Sequence, residues 1–161
     1  MADNKRHILR YIALFLGTFL LDRVSKWLVL ATVQYTEPVL PWLNIVVVWN
    51  RGVSFSLFHF DSPLGFWLLT ACIMAIIALF FCYSLYQHRV QHKKIYWELL
   101  VLAGALSNVV DRFVYGGVLD FIDFYWKSWH FATFNIADVL VFIGVVGIFI
   151  QTLVEQHDKQ D

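Results

Sequence analysis

The sequence predicts an all-α integral membrane protein: a four-transmembrane-helix bundle with a small extended or β segment on its outer face and cytoplasmic N- and C-termini. Composition, span length and charge placement each point there. Hydrophobic residues make up 60% of the chain and charged residues 15%, against about 45–50% and about 25% in soluble domains. Four stretches, 8–33, 64–86, 95–115 and 133–154, come close to or exceed the roughly 20 apolar residues needed to cross a hydrocarbon core. The basic residues cluster before the first, between the second and third, and after the fourth. With 161 residues only short connections remain, so one membrane domain, 1–161, is expected.

Taken in order, the span 8–33 follows Lys5 and Arg6 and contains Arg10. Its apolar run is too long for a cleaved leader and no small-residue cleavage site follows, so it reads as a retained helix. The connection 34–63 carries Pro38 and Pro41, then Ile45-Val46-Val47-Val48, a β-branched run that favours extended backbone. It continues into Trp49-Asn50-Arg51-Gly52-Val53-Ser54-Phe55, with Trp42, Trp49, Phe55 and Phe58 suited to the membrane interface. Such a segment can cradle a peptide by strand addition. In the span 64–86, Cys72 and Cys82 lie ten residues apart, about 15 Å along a helix. That excludes a disulfide and suits buried, apolar thiols.

Arg89, Lys93 and Lys94 fill the next connection, where His88 and His92 share a helical spacing but lack a third metal ligand. No metal and no cofactor are expected. Glu98, near the start of the span 95–115, is expected at the interface. The connection 116–132 is aromatic, and Phe121, Phe124, Trp126 and Trp129 suggest a lid resting on the membrane. The span 133–154 precedes a charged tail with Lys159. The positive-inside rule places the basic connections in the cytoplasm, and 34–63 and 116–132 on the outer face. Those outer loops are weakly acidic, with Glu37, Asp61, Asp120 and Asp123 against Arg51 and Lys127. The formal net charge is zero, so no nucleic acid partner is expected. Nothing calls for an obligatory protein partner.

Two carboxylates stand out from this apolar background. Asp111 and Asp138 each follow an asparagine by three residues, in Asn108-Val-Val-Asp111 and Asn135-Ile-Ala-Asp138. An acid at membrane depth costs about 2.5–3.5 kcal/mol or more, so it marks a functional site by default. Counting helical rise puts both near the outer end of their spans. Asn108, Asp111 and Arg112 share one helix face, as do Asn135 and Asp138. Gly104, Ser107 and Ala137 are small enough to let helices approach. Asp22 and Lys26 form an i, i+4 acid and base pair, equally suited to holding helix orientation or to serving the site.

Paired carboxylates in apolar surroundings cannot both ionise, so one keeps a proton while the other acts as a base. That is aspartic peptidase chemistry. A proton-coupled transporter is an alternative, against which stands the lack of an inverted repeat or proline-broken helices. A non-enzymatic subunit whose acids only pair helices is another.

Five segments in chain order closely resemble the bacterial lipoprotein signal peptidases, signal peptidase II. They are Asp22 with Lys26; Asn50-x-Gly52-x-Ser54-Phe55; Gly104-Ala105-Leu106-Ser107-Asn108-x-x-Asp111-Arg112; Val118-Leu119-Asp120-Phe121-Ile122-Asp123; and Phe134-Asn135-x-Ala137-Asp138. The resemblance implies an intramembrane aspartic endopeptidase that removes the signal peptide from diacylglyceryl-modified prolipoproteins, cutting just before the lipidated cysteine. It implies the dyad Asp111 and Asp138, supported by Asn108, Arg112, Asn135, Ala137, Asn50, Gly52, Asp22 and Lys26. It also implies the bacterial inner membrane, contact with membrane lipid in which the acyl chains remain, and inhibition by globomycin. Where the family often has Gly-Gly-x-x-Gly-Asn, this chain has Ala103-Gly104-Ala105-Leu106-Ser107-Asn108, a change confined to small residues.

Overall fold

The computed structural model describes residues 2–52 and 62–158, with backbone alone for 2–5. Val53, Ser54, Phe55, Phe58, Asp61 and Lys159 of the sequence reading lie outside them. In chain order the elements are α1 (Ala2–Thr32), β1 (Thr36–Leu40), β2 (Leu43–Asn50), α2 (Pro63–Arg89), α3 (Tyr96–Tyr115), β3 (Val118–Trp126), β4 (Trp129–His130) and α4 (Ile136–His157).

The helix ends follow from local chemistry. Ser62 caps α2, its side chain accepting from Gly65 N, with Pro63 in the first turn, where a missing N–H costs nothing. Gly116 ends α3 in the left-handed region at φ 72°, a conformation that suits a residue without Cβ. α4 begins at Ile136 rather than 133, because Asn135 is its N-cap and forms a capping box with Asp138.

α3 is the central helix, packed against α1, α2 and α4, and α2 packs chiefly against α3. The α3–α4 approach depends on glycine. A Cβ at Gly104 would run into the Ala137 carbonyl, and one at Gly144 would lie 2.7 Å from the Trp97 carbonyl. Backbones can therefore pack closely, which holds Asn108 beside the first turn of α4. The β-branched run lies in β2 as expected. The connection 116–132, read as a lid, instead supplies β3, which joins an antiparallel sheet in the order β1-β2-β3-β4. Alternation along β3 sends Leu119 and Phe121 into a core with Val29, so Phe121 cannot serve as a lid residue. Trp126 and Trp129 at the strand tips are exposed.

Burial is inverted relative to a soluble protein. Asp22, Lys26 and Asp111 are 0%, 1% and 0% exposed, while Leu79 and Phe142 are 72% and 69% exposed. A broad apolar exterior of this kind fits a lipid environment. Among the described residues, α2 and α4 are long and apolar enough to cross a membrane; α1 and α3 carry the buried charges. Cys72 and Cys82 are free and lie on the exposed side of α2, not in the interior. Glu98 is buried rather than interfacial.

The two ends of the bundle differ. Tyr11 of α1 packs edge-on against His88 at the end of α2, and Lys93 pairs with Glu155 of α4, so the first turns of α1, the last turns of α4 and the basic connection share one end. The sheet and the polar cluster occupy the other.

Candidate active site

Lys26 organises the polar cluster from α1. Its ammonium has three N–H groups and three acceptors: Asp22 Oδ2 at 2.8 Å, Asp111 Oδ2 at 2.7 Å and Asn108 Oδ1 at 2.8 Å. Asp111 also receives Arg23 and, at 3.3 Å, the Leu119 N–H. Asp22 accepts from Ser107 Oγ at 2.6 Å and from Ala137 N at 2.8 Å, which ties α1 to both α3 and the start of α4. Each buried charge is thus paired and hydrogen-bonded, the condition under which burial is tolerable.

The sequence reading pairs Asp111 with Asp138, and the structure separates their surroundings. Asp111 faces α1, enclosed by Lys26 and Arg23. Asp138 instead lines a cavity of about 230 Å³ together with Asp120, Asn50, Gly52, Asn108 and Arg112. The matching Asn-x-x-Asp spacings therefore mean different things: in α3 the triplet lies within the helix, whereas at α4 it is a capping box. Counting helical rise ranks depth but leaves azimuth open, which is why Asp111 was matched with Asp138.

Asparagines hold the two cavity carboxylates. Asn108 Nδ2 donates to Asp138 Oδ1 at 2.9 Å, and the Asn135 backbone N–H donates to Asp138 Oδ2 at 3.2 Å. Asn135 Nδ2 reaches Asp120 Oδ1 at 2.7 Å, Asn108 Oδ1 at 3.2 Å and the Leu119 carbonyl at 3.2 Å. Asn50 Nδ2 donates to Asp120 Oδ2 at 3.0 Å, while Asn50 Oδ1 accepts from Gly52 N at 2.9 Å. One residue, Asn135, thereby grips Asp120 by side chain and Asp138 by backbone.

Burial above all, and then the neighbouring Asp138 carboxylate, pushes the Asp120 carboxyl up to about 7, against the counter-effect of the bonds from Asn50 and Asn135. A carboxyl so raised beside a second acid in a cleft is a functional-site signature. Arg112 closes the cavity wall: Nη2 donates to the Gly52 carbonyl, the guanidinium lies 5.5 Å from the Phe66 ring centre, and Nη1 is buried with no hydrogen-bond partner among the described residues.

Of the residues predicted from sequence, Asn108, Arg112, Asn50, Gly52 and Asp138 line this cavity, and Asn135 holds its two carboxylates by hydrogen bonds. Asp22, Lys26 and Asp111 lie beside it in the ion-paired cluster, and Ala137 contributes its buried backbone N–H to Asp22. Asp120 is the acid that sequence reasoning missed, having counted it among the outer-loop charges. Its signal was present: it stands alone in the apolar run Val118-Leu119-Asp120-Phe121-Ile122, as isolated as the other two. No group of three or more His, Cys, Asp or Glu suited to a metal occurs among the described residues.

Comparison with known proteins places the chain in a family. A family model described as signal peptidase (SPase) II matches residues 14–154. The chain is 37% identical over 143 residues to the lipoprotein signal peptidase of Polynucleobacter necessarius subsp. necessarius (strain STIR1), spanning 88% of this chain and 87% of that one. It is 40% identical over 144 residues to the lipoprotein signal peptidase of Methylorubrum extorquens (strain PA1), spanning 86% and 82%. A solved bacterial membrane enzyme superposes with a TM-score of 0.78 at 26% identity, covering 94% of this chain and 92% of that one.

Proposed function

Because the chain belongs to the signal peptidase II family, we propose that Asp120 and Asp138 are its catalytic pair. The protein is a protease that removes the signal peptide from prolipoproteins. We assign the finer chemistry as follows. The substrate is a diacylglyceryl-modified prolipoprotein, cut just before the lipidated cysteine. The four helices cross the bacterial inner membrane, with both termini cytoplasmic and the sheet and site near the outer face. Globomycin is expected to occupy the same cavity.

The observation that carries this reading is the shared setting of two acids in one cavity, both held by Asn135. The ionised carboxylate takes a proton from water as the water oxygen attacks the scissile carbonyl. The protonated carboxyl donates to the carbonyl oxygen, which collects the developing charge. Collapse of the tetrahedral species breaks the C–N bond, and the leaving nitrogen receives a proton from the pair. Asp120, raised to about 7, suits the proton-holding role. Arg112, which lines the cavity and whose Nη1 has no partner among the described residues, suits a peptide carbonyl of the bound substrate, and β2 offers extended backbone beside it.

The test compares purified, folded Asp120→Asn, Asp138→Asn and Asp111→Asn in cleavage of a diacylglyceryl-modified prolipoprotein. The first two are expected to lose about 10³-fold or more in rate, the scale of general acid and base catalysis. Asp111→Asn is expected to melt at a lower temperature while its folded fraction still cleaves. Retained cleavage by Asp120→Asn, with loss in folded Asp111→Asn, would restore Asp111 to the pair.

A further inference from the structure

α2 turns most of its apolar side chains outward, and Phe66, 2% exposed, is its one buried apolar residue. Lipid is as apolar as a helix interior, so no hydrophobic gain draws a ring inside. What the ring meets there is charge. The Arg51 guanidinium carbon lies 5.3 Å from its centroid and that of Arg112 5.5 Å, both within the roughly 6 Å of a cation–π contact. Among the described residues neither guanidinium forms an ion pair, and Arg51 Nε and Arg112 Nη1 are buried with no hydrogen-bond partner. Two such cations beside a membrane-embedded bundle are costly, and the ring face offsets part of that cost. The first turn of α2 fixes the ring: Phe66 N donates to the Ser62 carbonyl at 3.1 Å, and the Phe66 carbonyl accepts from Thr70 Oγ1 at 2.8 Å. Both cations lead on to the cavity of Asp120 and Asp138. Arg51 stands between Asn50 and Gly52, which line it, and Arg112 lines it and donates to the Gly52 carbonyl.

We propose that Phe66 is a positioning residue: its ring holds the Arg112 guanidinium by cation–π attraction, so that Nη1 stays free for a substrate carbonyl, while Arg51 pins the 50–52 turn to the same ring. The inference rests on the reading of this cavity as the active site and of Arg112 as a carbonyl donor. A carboxylate in the ring's place would accept the N–H groups it neutralised and leave fewer for substrate. An aromatic face attracts the charge while leaving the N–H donors to other acceptors. Phe66 touches no reacting atom and acts through Arg112.

The experiment places phenylalanines with one, two or three ring fluorines at position 66 of the full-length enzyme. Fluorine drains the negative ring face while size and apolarity barely change, so packing is kept and the attraction weakens. KM for a diacylglyceryl-modified prolipoprotein peptide is expected to rise stepwise, about three- to tenfold over the series, the scale of one cation–π contact, with kcat little changed. The same series in Arg51→Met should keep the stepwise rise, since Arg112 still sits on the ring. Thermal unfolding of each protein reads packing separately and should stay level along the series. A flat series, a fall confined to kcat, a rise that disappears in Arg51→Met, or a rise that only tracks a falling unfolding temperature would overturn the proposal. Failure of the catalytic reading shows differently: folded Asp120→Asn or Asp138→Asn would then cleave, whichever ring stands at position 66.

Discussion

Lys26 shows how a residue can be indispensable without touching the reacting atoms. It balances Asp22 and Asp111 while holding Asn108, whose amide grips Asp138. Lys26→Met keeps the volume and removes the charge, leaving two buried carboxylates under-compensated. Breaking a buried pair in this way costs about 3–5 kcal/mol, so a large drop in thermal unfolding temperature is expected, accompanied by loss of activity. Asp120 permits a sharper test, by pH. Its proton leaves near pH 7, so cleavage should fall as pH rises through that region. Asn50 donates to Asp120 and favours its ionised form. Asn50→Ala should therefore raise the Asp120 pKa and move the alkaline limb of the pH–rate profile upward; an unmoved or downward-shifted limb would remove Asp120 from that role. Stability follows the same sign. Between about pH 4 and pH 7 the unfolded chain has released the proton that native Asp120 still holds, so this group makes the fold less stable as pH rises across that window.

At the scale of elements, the site is built where α3 and α4 cross. Gly104 lies against the Ala137 carbonyl, and backbone cannot yield as a side-chain tip can. Gly104→Val should push the helices apart, costing about 1–3 kcal/mol for overpacking and lowering kcat, because Asn108 then loses its reach to Asp138. Thermal melts and single-turnover rates on the folded fraction check both effects. The small residues Gly104, Ser107 and Ala137 were readable in the sequence as a close-approach stripe; Gly144 and Gly147 carry the same role lower in α4 and were not singled out. Helix spans were legible because long apolar runs constrain little else. The sheet was half legible: β2 announced itself by its β-branched run, while β3 reads as a loop until pairing with β2 supplies its hydrogen bonds. That pairing joins segments some seventy residues apart, as in Asn50 opposite Val118. Its absence from local pattern is why Asp120 reads as a loop charge in the sequence.

For the molecule as a whole, polar chemistry sits inside and apolar surface outside, an arrangement that fits a membrane. The ion-paired cluster of Lys26, Asp22 and Asp111 lies toward the sheet end, whereas the basic connection, the start of α1 and the end of α4 lie at the other, joined there by Lys93 with Glu155. A bilayer aligned with the helices must then leave the strand tips on one side and residues 90–95 on the opposite side. The proposed orientation puts the basic connection on the cytoplasmic side. Lys127 at the exposed β3–β4 turn and Lys94 in the basic connection are suitable reporters. In intact cells, Lys127→Cys should react with a membrane-impermeant maleimide, while Lys94→Cys should react only after the inner membrane is opened. Cys72 and Cys82, exposed on the apolar side of α2, should stay unreactive in both conditions because lipid covers them. Labelling of Lys94→Cys in intact cells would reverse the orientation and put the proposed pair on the cytoplasmic side, away from substrates delivered to the outer face.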